Sequence, residues 1–284
     1  MPGPPMRSRT VAVSVVTFCI TLAYDGGSSD SALRIASATD AFAMSASSRA
    51  TKPTIVLVHG AFADATSFQE LISILQQKHY PVVAVQNTLT SLDADIVTTK
   101  RLLDAQKGPV IVLGHSYGGA VITGAAAGNA NVKALVYVAA FAPDANEPVG
   151  ALQGKYTPPP LSNALMPDAA GFLYVDTAKF RDVVAADLSV RLTRIAAVTQ
   201  KPVSGSVFTA TTPQAAWRTI PSWYMVATDD HAINPDLERF YAKRMKAHTT
   251  EVKSSHVMYI SHPADVARVI DEAANTITMA SNRD

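Results

Sequence analysis

The segment Gly114-His115-Ser116-Tyr117-Gly118-Gly119 sets a serine between two glycines at the spacing G-x-S-x-G. A serine hydroxyl is a weak nucleophile until a base takes its proton, and a histidine oriented by a carboxylate is a base suited to the task. Both occur downstream. Thr228-Asp229-Asp230-His231-Ala232-Ile233-Asn234-Pro235 carries two adjacent carboxylates, and Ser254-Ser255-His256 carries an imidazole. The chain order is then serine, acid, histidine. Upstream, His59-Gly60-Ala61-Phe62 forms a second loop. The backbone N–H groups of Ala61 and Tyr117 are candidates to bind the oxygen that turns negative in a tetrahedral intermediate, each donor being worth about 3 kcal/mol. Together these residue types describe acyl transfer to Ser116 followed by hydrolysis.

Such residues act together only if regular elements bring them to one place. Val110 to Leu113 is an apolar run directly before the serine motif, and a Gly/Ala-rich stretch, Gly118 to Ala127, follows it. This is a strand, a tight turn and a helix, the context in which the motif has meaning. Side chains at positions 114 and 118 are expected to collide with neighbouring backbone. Further strands are expected at Ile55 to Val58, Val82 to Val85, Ala134 to Ala139, Trp223 to Ala227 and Glu251 to Lys253. Wholly apolar, β-branched runs of this length suit parallel strands covered on both faces. Helical spacing appears at Phe68, Leu71, Ile72 and Leu75, with Ser67 and Glu70 spaced as a capping box. It recurs at Leu92, Ile96 and Leu103, from Pro235 to about Met245, and from Val266 to Ile277. The alternation predicts an α/β fold with a mostly parallel sheet flanked by helices. Between Pro143 and Pro221 no strand of that sheet is evident, so residues of about 144–221 are read as a largely helical cap insertion within a domain of residues 51–284.

The two acids cannot be separated by spacing, since either could cap the turn before the Pro235 helix. His262 rivals His256, but it directly precedes Pro263, where a structural role suffices. His59 precedes its turn and is read as a loop buttress. His115 and His231 flank candidate positions and are expected to point elsewhere, and His79 and His248 are read as surface residues.

The 284 residues carry a net charge of +1 and a hydrophobic fraction of 48%. This offers no electrostatic footprint for nucleic acid. A single cysteine, Cys19, forbids an internal disulfide, and no Cys/His cluster has zinc spacing, so no metal is expected. In residues 1–50, Arg7 and Arg9 precede an apolar run, Val11 to Ala23, and a Ser/Ala/Gly-rich stretch to Ala50. This is the layout of a secretory signal, with Ala36-Ser37-Ala38 as a candidate cleavage site. The run is short for a membrane span, so no stable membrane insertion is expected. A disordered tail, or a true start at Met44, remains open. The protein is periplasmic or secreted on the first reading and cytoplasmic on the others.

The segments TIVLVHGAF, VLGHSYGG, YVAAFAPD, MVATDDHAINP and SSHVMYISHP resemble the α/β-hydrolase superfamily. The likeness is to the branch of bacterial esterase-like hydrolases, plant methyl esterases and plant hydroxynitrile lyases. It spans roughly Thr54 to Ile277 and is least distinct across the insertion. The resemblance implies an α/β-hydrolase fold, Asp230 as the catalytic acid, and Ala61 and Tyr117 as oxyanion donors, with no cofactor. The plant lyases carry Thr where this chain has Gly60, and Lys after the catalytic histidine where it has Val257. The expectation is therefore a small-molecule carboxylic ester substrate. Other reactions on the same triad are alternatives: C–C hydrolysis, lactone opening, perhydrolysis or cyanohydrin lysis, or more remotely a non-catalytic receptor. Phe62, Phe141 and Trp217 are the expected pocket residues, with Tyr117, Tyr156, Phe172 and Tyr174 as further aromatic candidates for the lining.

Overall fold

Short apolar runs become the centre of a six-stranded sheet, because the central strands are covered on both faces and can satisfy their backbone only through their neighbours. The computed structural model of the protein describes residues 52–281. The leader, tail and Met44 readings lie outside those residues. The first half contains β1 (Thr54–Val58), α1 (Gln69–Gln77), β2 (Val82–Val85), α2 (Leu92–Asp104), β3 (Val110–His115), α3 (Tyr117–Ala125) and β4 (Val132–Val138). An irregular interval follows, with β5 (Leu165–Pro167), β6 (Phe172–Val175), α4 (Phe180–Val184), α5 (Val190–Thr199) and β7 (Val203–Ser204). The chain closes through β8 (Ser222–Ala227), α6 (Pro235–Arg244), β9 (His248–Val252), α7 (Met258–Ser261) and α8 (Pro263–Ser281).

The sheet order is β2-β1-β3-β4-β8-β9, and every neighbouring pair is parallel. From β1 the chain moves outward to β2, then returns to the other side of β1 as β3. The loops after β1 and β3 therefore diverge, leaving a crevice at the carboxyl ends of these two strands where an open α/β sheet binds its ligand. The Ala61 loop and Ser116 belong to those two loops. Every side chain of β3 and β8 is buried, as are Ile55 to Val58 of β1. α1 packs against α8, and α2 against α3. Among the described residues no helix is long and apolar enough to cross a membrane.

Two local readings change. Ser67 and Glu70 do not form a capping box: a one-turn 3-10 helix, Ala65–Phe68, precedes α1, so Ser67 lies inside a turn rather than before one. Asp64 caps it by accepting the Thr66 N–H at 2.8 Å, and the Ser67 hydroxyl donates to Asp64 O. The insertion contributes nothing to the main sheet, as expected, but β5, β6 and β7 form a separate antiparallel sheet of three strands. Strands of two to four residues leave no periodic signal. Helical and 3-10 turns supply the rest of the interval's regular structure.

The crossing of α3 over β1 is close. A Cβ placed on Gly118 would lie 2.4 Å from Val58 O and 2.8 Å from His59 O, both backbone atoms that cannot yield cheaply. Gly118→Ala is expected to destabilise the fold by about 2–3 kcal/mol, read from denaturant unfolding. An unchanged midpoint would show that the helix can move away from the strand.

Candidate active site

Ser116 follows β3 with φ 54° and ψ −125°, a backbone that L side chains avoid. Strain of this kind costs about 1–3 kcal/mol and persists only where the surroundings over-determine it. Here they do. The Ser116 N–H donates to Val138 O and Ala139 O, while Ser116 O accepts from Gly119 N–H at 3.0 Å and Phe141 N–H at 3.1 Å. The turn is thereby stitched to the end of β4. A Cβ on Gly114 would lie 2.6 Å from Gly118 O, so the two glycines of the motif allow the chain to fold back on itself.

Asp230 and His256 meet. His256 Nδ1 donates to Asp230 Oδ2 at 2.6 Å, and both residues are buried. With Nδ1 protonated, Nε2 carries the free lone pair. Asp230 Oδ1 accepts from the Ala232 and Ile233 N–H groups at 2.6 and 2.9 Å. The carboxylate is thus fixed by backbone on one oxygen and faces the imidazole with the other. Asp229 is exposed, and its N–H donates to Ser254 O at 3.2 Å, tying the acid loop to the histidine loop. Burial separates the two acids that spacing left open.

Ser116, His256, Ala61 and Tyr117 open onto one cavity of about 590 Å³. Among the described residues, the Ala61 and Tyr117 backbone N–H groups have no acceptor within the protein. Tyr117 is also the first residue of α3, whose N-terminal dipole favours negative charge at this point. Its side chain is anchored from behind, the hydroxyl donating to the buried Asp95 at 2.9 Å. Burial, then the Asp95 charge, raises the Tyr117 phenol far above its ordinary range, so it remains a donor.

His59, His115, His231, His248 and His262 have structural partners. His59 Nδ1 donates to Gly60 O at 2.8 Å, and its Nε2 accepts the Asn87 N–H at 3.0 Å. Both partners demand the neutral ring, and burial lowers its pKa in agreement. His115 Nε2 donates to His256 O at 3.0 Å, and its ring packs 4.7 Å from that of His256. Burial holds His115 well below the ordinary histidine range. His115 is therefore a neutral neighbour of the His256 ring. His262 bonds with the Ser261 hydroxyl, and His248 stacks on Trp223.

Of the expected pocket residues, Phe62 and Phe141 line the cavity. Trp217 does not. Its indole N–H donates to Pro143 O at 2.9 Å, and its ring lies beneath the guanidinium groups of Arg218 and Arg244, which settles it on the body instead. Tyr156, Phe172 and Tyr174 also lie off the cavity wall. The wall supplied by the insertion is instead Phe180, Val184, Leu188, Leu192, Ile195 and Phe208. The helical spacing of Leu188, Leu192 and Ile195 was a legible signal, but not the direction in which that face points.

The insertion also braces both loops of the site. Leu161 N–H donates to His231 O, His231 Nδ1 donates to Asp182 O, and Asn234 Nδ2 donates to Thr157 O. On the other side, Asp187 accepts the Ser255 N–H at 3.0 Å and the Ser255 hydroxyl at 2.5 Å.

With this geometry in hand, comparison with known proteins places the chain. Residues 55–269 match the model of the alpha/beta hydrolase family, and the protein belongs to that family. It is 26% identical over 251 residues to a probable hydrolase, R7, of a Phoma species, covering 79% of this chain and 99% of that one. A pyrethroid hydrolase from Sphingobium faniae superposes with a TM-score of 0.68 at 21% identity, covering 78% of this chain and 97% of that one. A methylesterase from Arabidopsis does so with a TM-score of 0.65 at 16% identity, over 79% and 99%. These structures share the fold that the sequence motifs imply.

Partial burial tends to raise the Asp187 pKa, but the hydroxyl and amide of Ser255 outweigh it and the net direction is down. A carboxyl that holds its proton less tightly in the folded state stabilises fully above the unfolded pKa of about 4, and loses that contribution as pH falls through the folded value. Asp187→Asn is therefore expected to lower thermal stability near neutral pH and to matter progressively less in acid. Hydrogen exchange at Ser255 and His256 should quicken in the variant. Unchanged exchange would show that the histidine loop stands without the insertion.

Proposed function

We propose that the protein is a serine esterase that cleaves a carboxylic ester through an acyl-enzyme. Ser116 Oγ attacks the ester carbonyl while His256 Nε2 takes its proton. Asp230 orients the imidazole and stabilises its charged form. The new oxyanion is held by the Ala61 and Tyr117 N–H groups. His256 then returns the proton to the departing alkoxide. Water, deprotonated by the same His256, releases the acid and restores the serine.

The observation that carries this reading is the 2.6 Å bond between Asp230 and His256, the latter lining the cavity that also holds Ser116 and two amides with no acceptor among the described residues. The methylesterase and pyrethroid hydrolase of similar fold agree with ester chemistry. Gly60 favours it over cyanohydrin lysis: a Cβ there would lie 2.7 Å from Ser116 Cβ, which leaves no room for the lyases' threonine in this backbone. Val257 supplies no cation for cyanide. The insertion wall is mostly apolar, with Gln153, Ser162 and Thr199 as its polar members, and the cavity has the size of a small-molecule site, so an apolar acyl group is assigned to that side.

With p-nitrophenyl esters, Ser116→Ala is expected to lose about 10⁶-fold in kcat, and Asp230→Asn about 10⁴-fold through the wrong histidine tautomer. Equal turnover by Ser116→Ala and the unaltered protein would remove Ser116 as the nucleophile. Phe208 packs edge-on against Phe141 with ring centroids 6.1 Å apart. Phe208→Ala should shift the best acyl chain to a longer one, measured as kcat/KM across the ester series. An unmoved optimum would place the acyl group elsewhere.

A further inference from the structure

Behind the acid–histidine pair lies a second carboxyl group. Glu238, in the first half of α6, is fully buried. Its Oε2 accepts the N–H of Ala227, the last residue of β8, at 3.1 Å. Its Oε1 is buried with no donor among the described residues. What that side chain faces within hydrogen-bonding range is the carboxylate of Asp230. Both oxygens of Asp230 are already acceptors, from Ala232, Ile233 and His256. Among the described residues no Lys or Arg pairs with either carboxyl; the Arg239 charge favours an ionised Glu238, but burial and the Asp230 charge outweigh it. The neighbouring Arg239 turns outward to Glu251 and Asp236, at 2.8 Å each. Tyr224, on β8, donates its hydroxyl to Ala140 O.

Two buried carboxylates in contact, with no Lys or Arg paired to either, cannot both be ionised; a proton must bridge them. Asp230 already serves three donors, so the proton is best placed on Glu238. We propose that Glu238 is a positioning residue for the acid–histidine pair. It stays a neutral carboxylic acid and donates its hydrogen to Asp230, so that Asp230 is the only anion beside His256. Burial first, and the Asp230 charge second, push Glu238 well above the ordinary carboxyl range, in accord with this assignment. A donor on Asp230 draws off part of the negative charge that faces the His256 Nδ1–H. Glu238 also joins Asp230 to the end of β8, because Ala227 O accepts the Asp230 N–H at 3.2 Å while Ala227 N–H binds Glu238.

The functional part of this inference rests on the esterase reading; the protonation of Glu238 does not. The test uses the full chain with Glu238→Gln and Glu238→Leu. Glutamine can accept from Ala227 and donate to Asp230, as a protonated glutamic acid does, whereas leucine can do neither. Infrared spectra of the substrate-free protein near pH 7 should contain a protonated-carboxyl C=O band that Glu238→Gln lacks. Glu238→Leu should lose ten- to a hundredfold more kcat than Glu238→Gln, with a smaller change in KM. Its acid limb in kcat/KM should move up by about half a pH unit or more, while that of Glu238→Gln stays with the unaltered protein. Absence of the band overturns the proposal. So does an equal loss in both variants when circular dichroism finds both folded. If Glu238→Leu does not fold, the band alone decides. Should Ser116→Ala keep full turnover, the esterase reading fails, yet the band, measured without substrate, still decides the state of Glu238.

Discussion

A serine backbone at φ 54° is held in place only by what surrounds it, and much of the structure near Ser116 serves that end. Four hydrogen bonds join the residue to α3 and to the end of β4. Ala139, one of the acceptors, itself sits at φ 43°, and Phe62 in the facing loop at φ 61°. Three strained residues thus lie where β1, β3 and β4 end, while the strands below them are almost wholly buried. The rigid sheet supplies the stability, and the loops at its edge spend part of it. A close-packed support of this kind gives the Ser116 side chain one position rather than an ensemble of them.

The insertion reaches the same end of the sheet from the other side. It meets the acid loop through His231 and Asn234 and the histidine loop through Ser255. It also forms the mostly apolar wall of the cavity. The segment that shapes the pocket therefore also steadies the loops that carry Asp230 and His256. Changes in that wall and changes in the geometry of the pair are mechanically linked, since both travel through α4, α5 and the turn holding Asp187.

Much of the fold was legible before any coordinates. β2 runs from Val82 to Val85 as read, and β1, β3 and β8 differ from their expected spans by one or two residues. β9 begins three residues before the sequence predicts, because none of its side chains is buried on this edge strand and little apolar signal marks its start. The short β5–β7 sheet gave no period to detect. Glu238 did leave a trace: it shares a buried helical face with Leu237, Tyr241 and Ala242, where a charged residue calls for a reason.

The one-dimensional pattern was enough for the parallel sheet, the turn at Ser116 and the order serine, acid, histidine. These depend on local spacing, on steric need for glycine, and on apolar runs, all of which are written along the chain. Pairings between distant residues depend on where side chains point once the sheet has twisted and the insertion has docked. Only the folded chain buried Asp230 and exposed Asp229, drew Trp217 to a carbonyl on the body, and turned Phe180 and Phe208 toward Ser116. Burial and direction are properties of three-dimensional packing, and sequence spacing does not carry them.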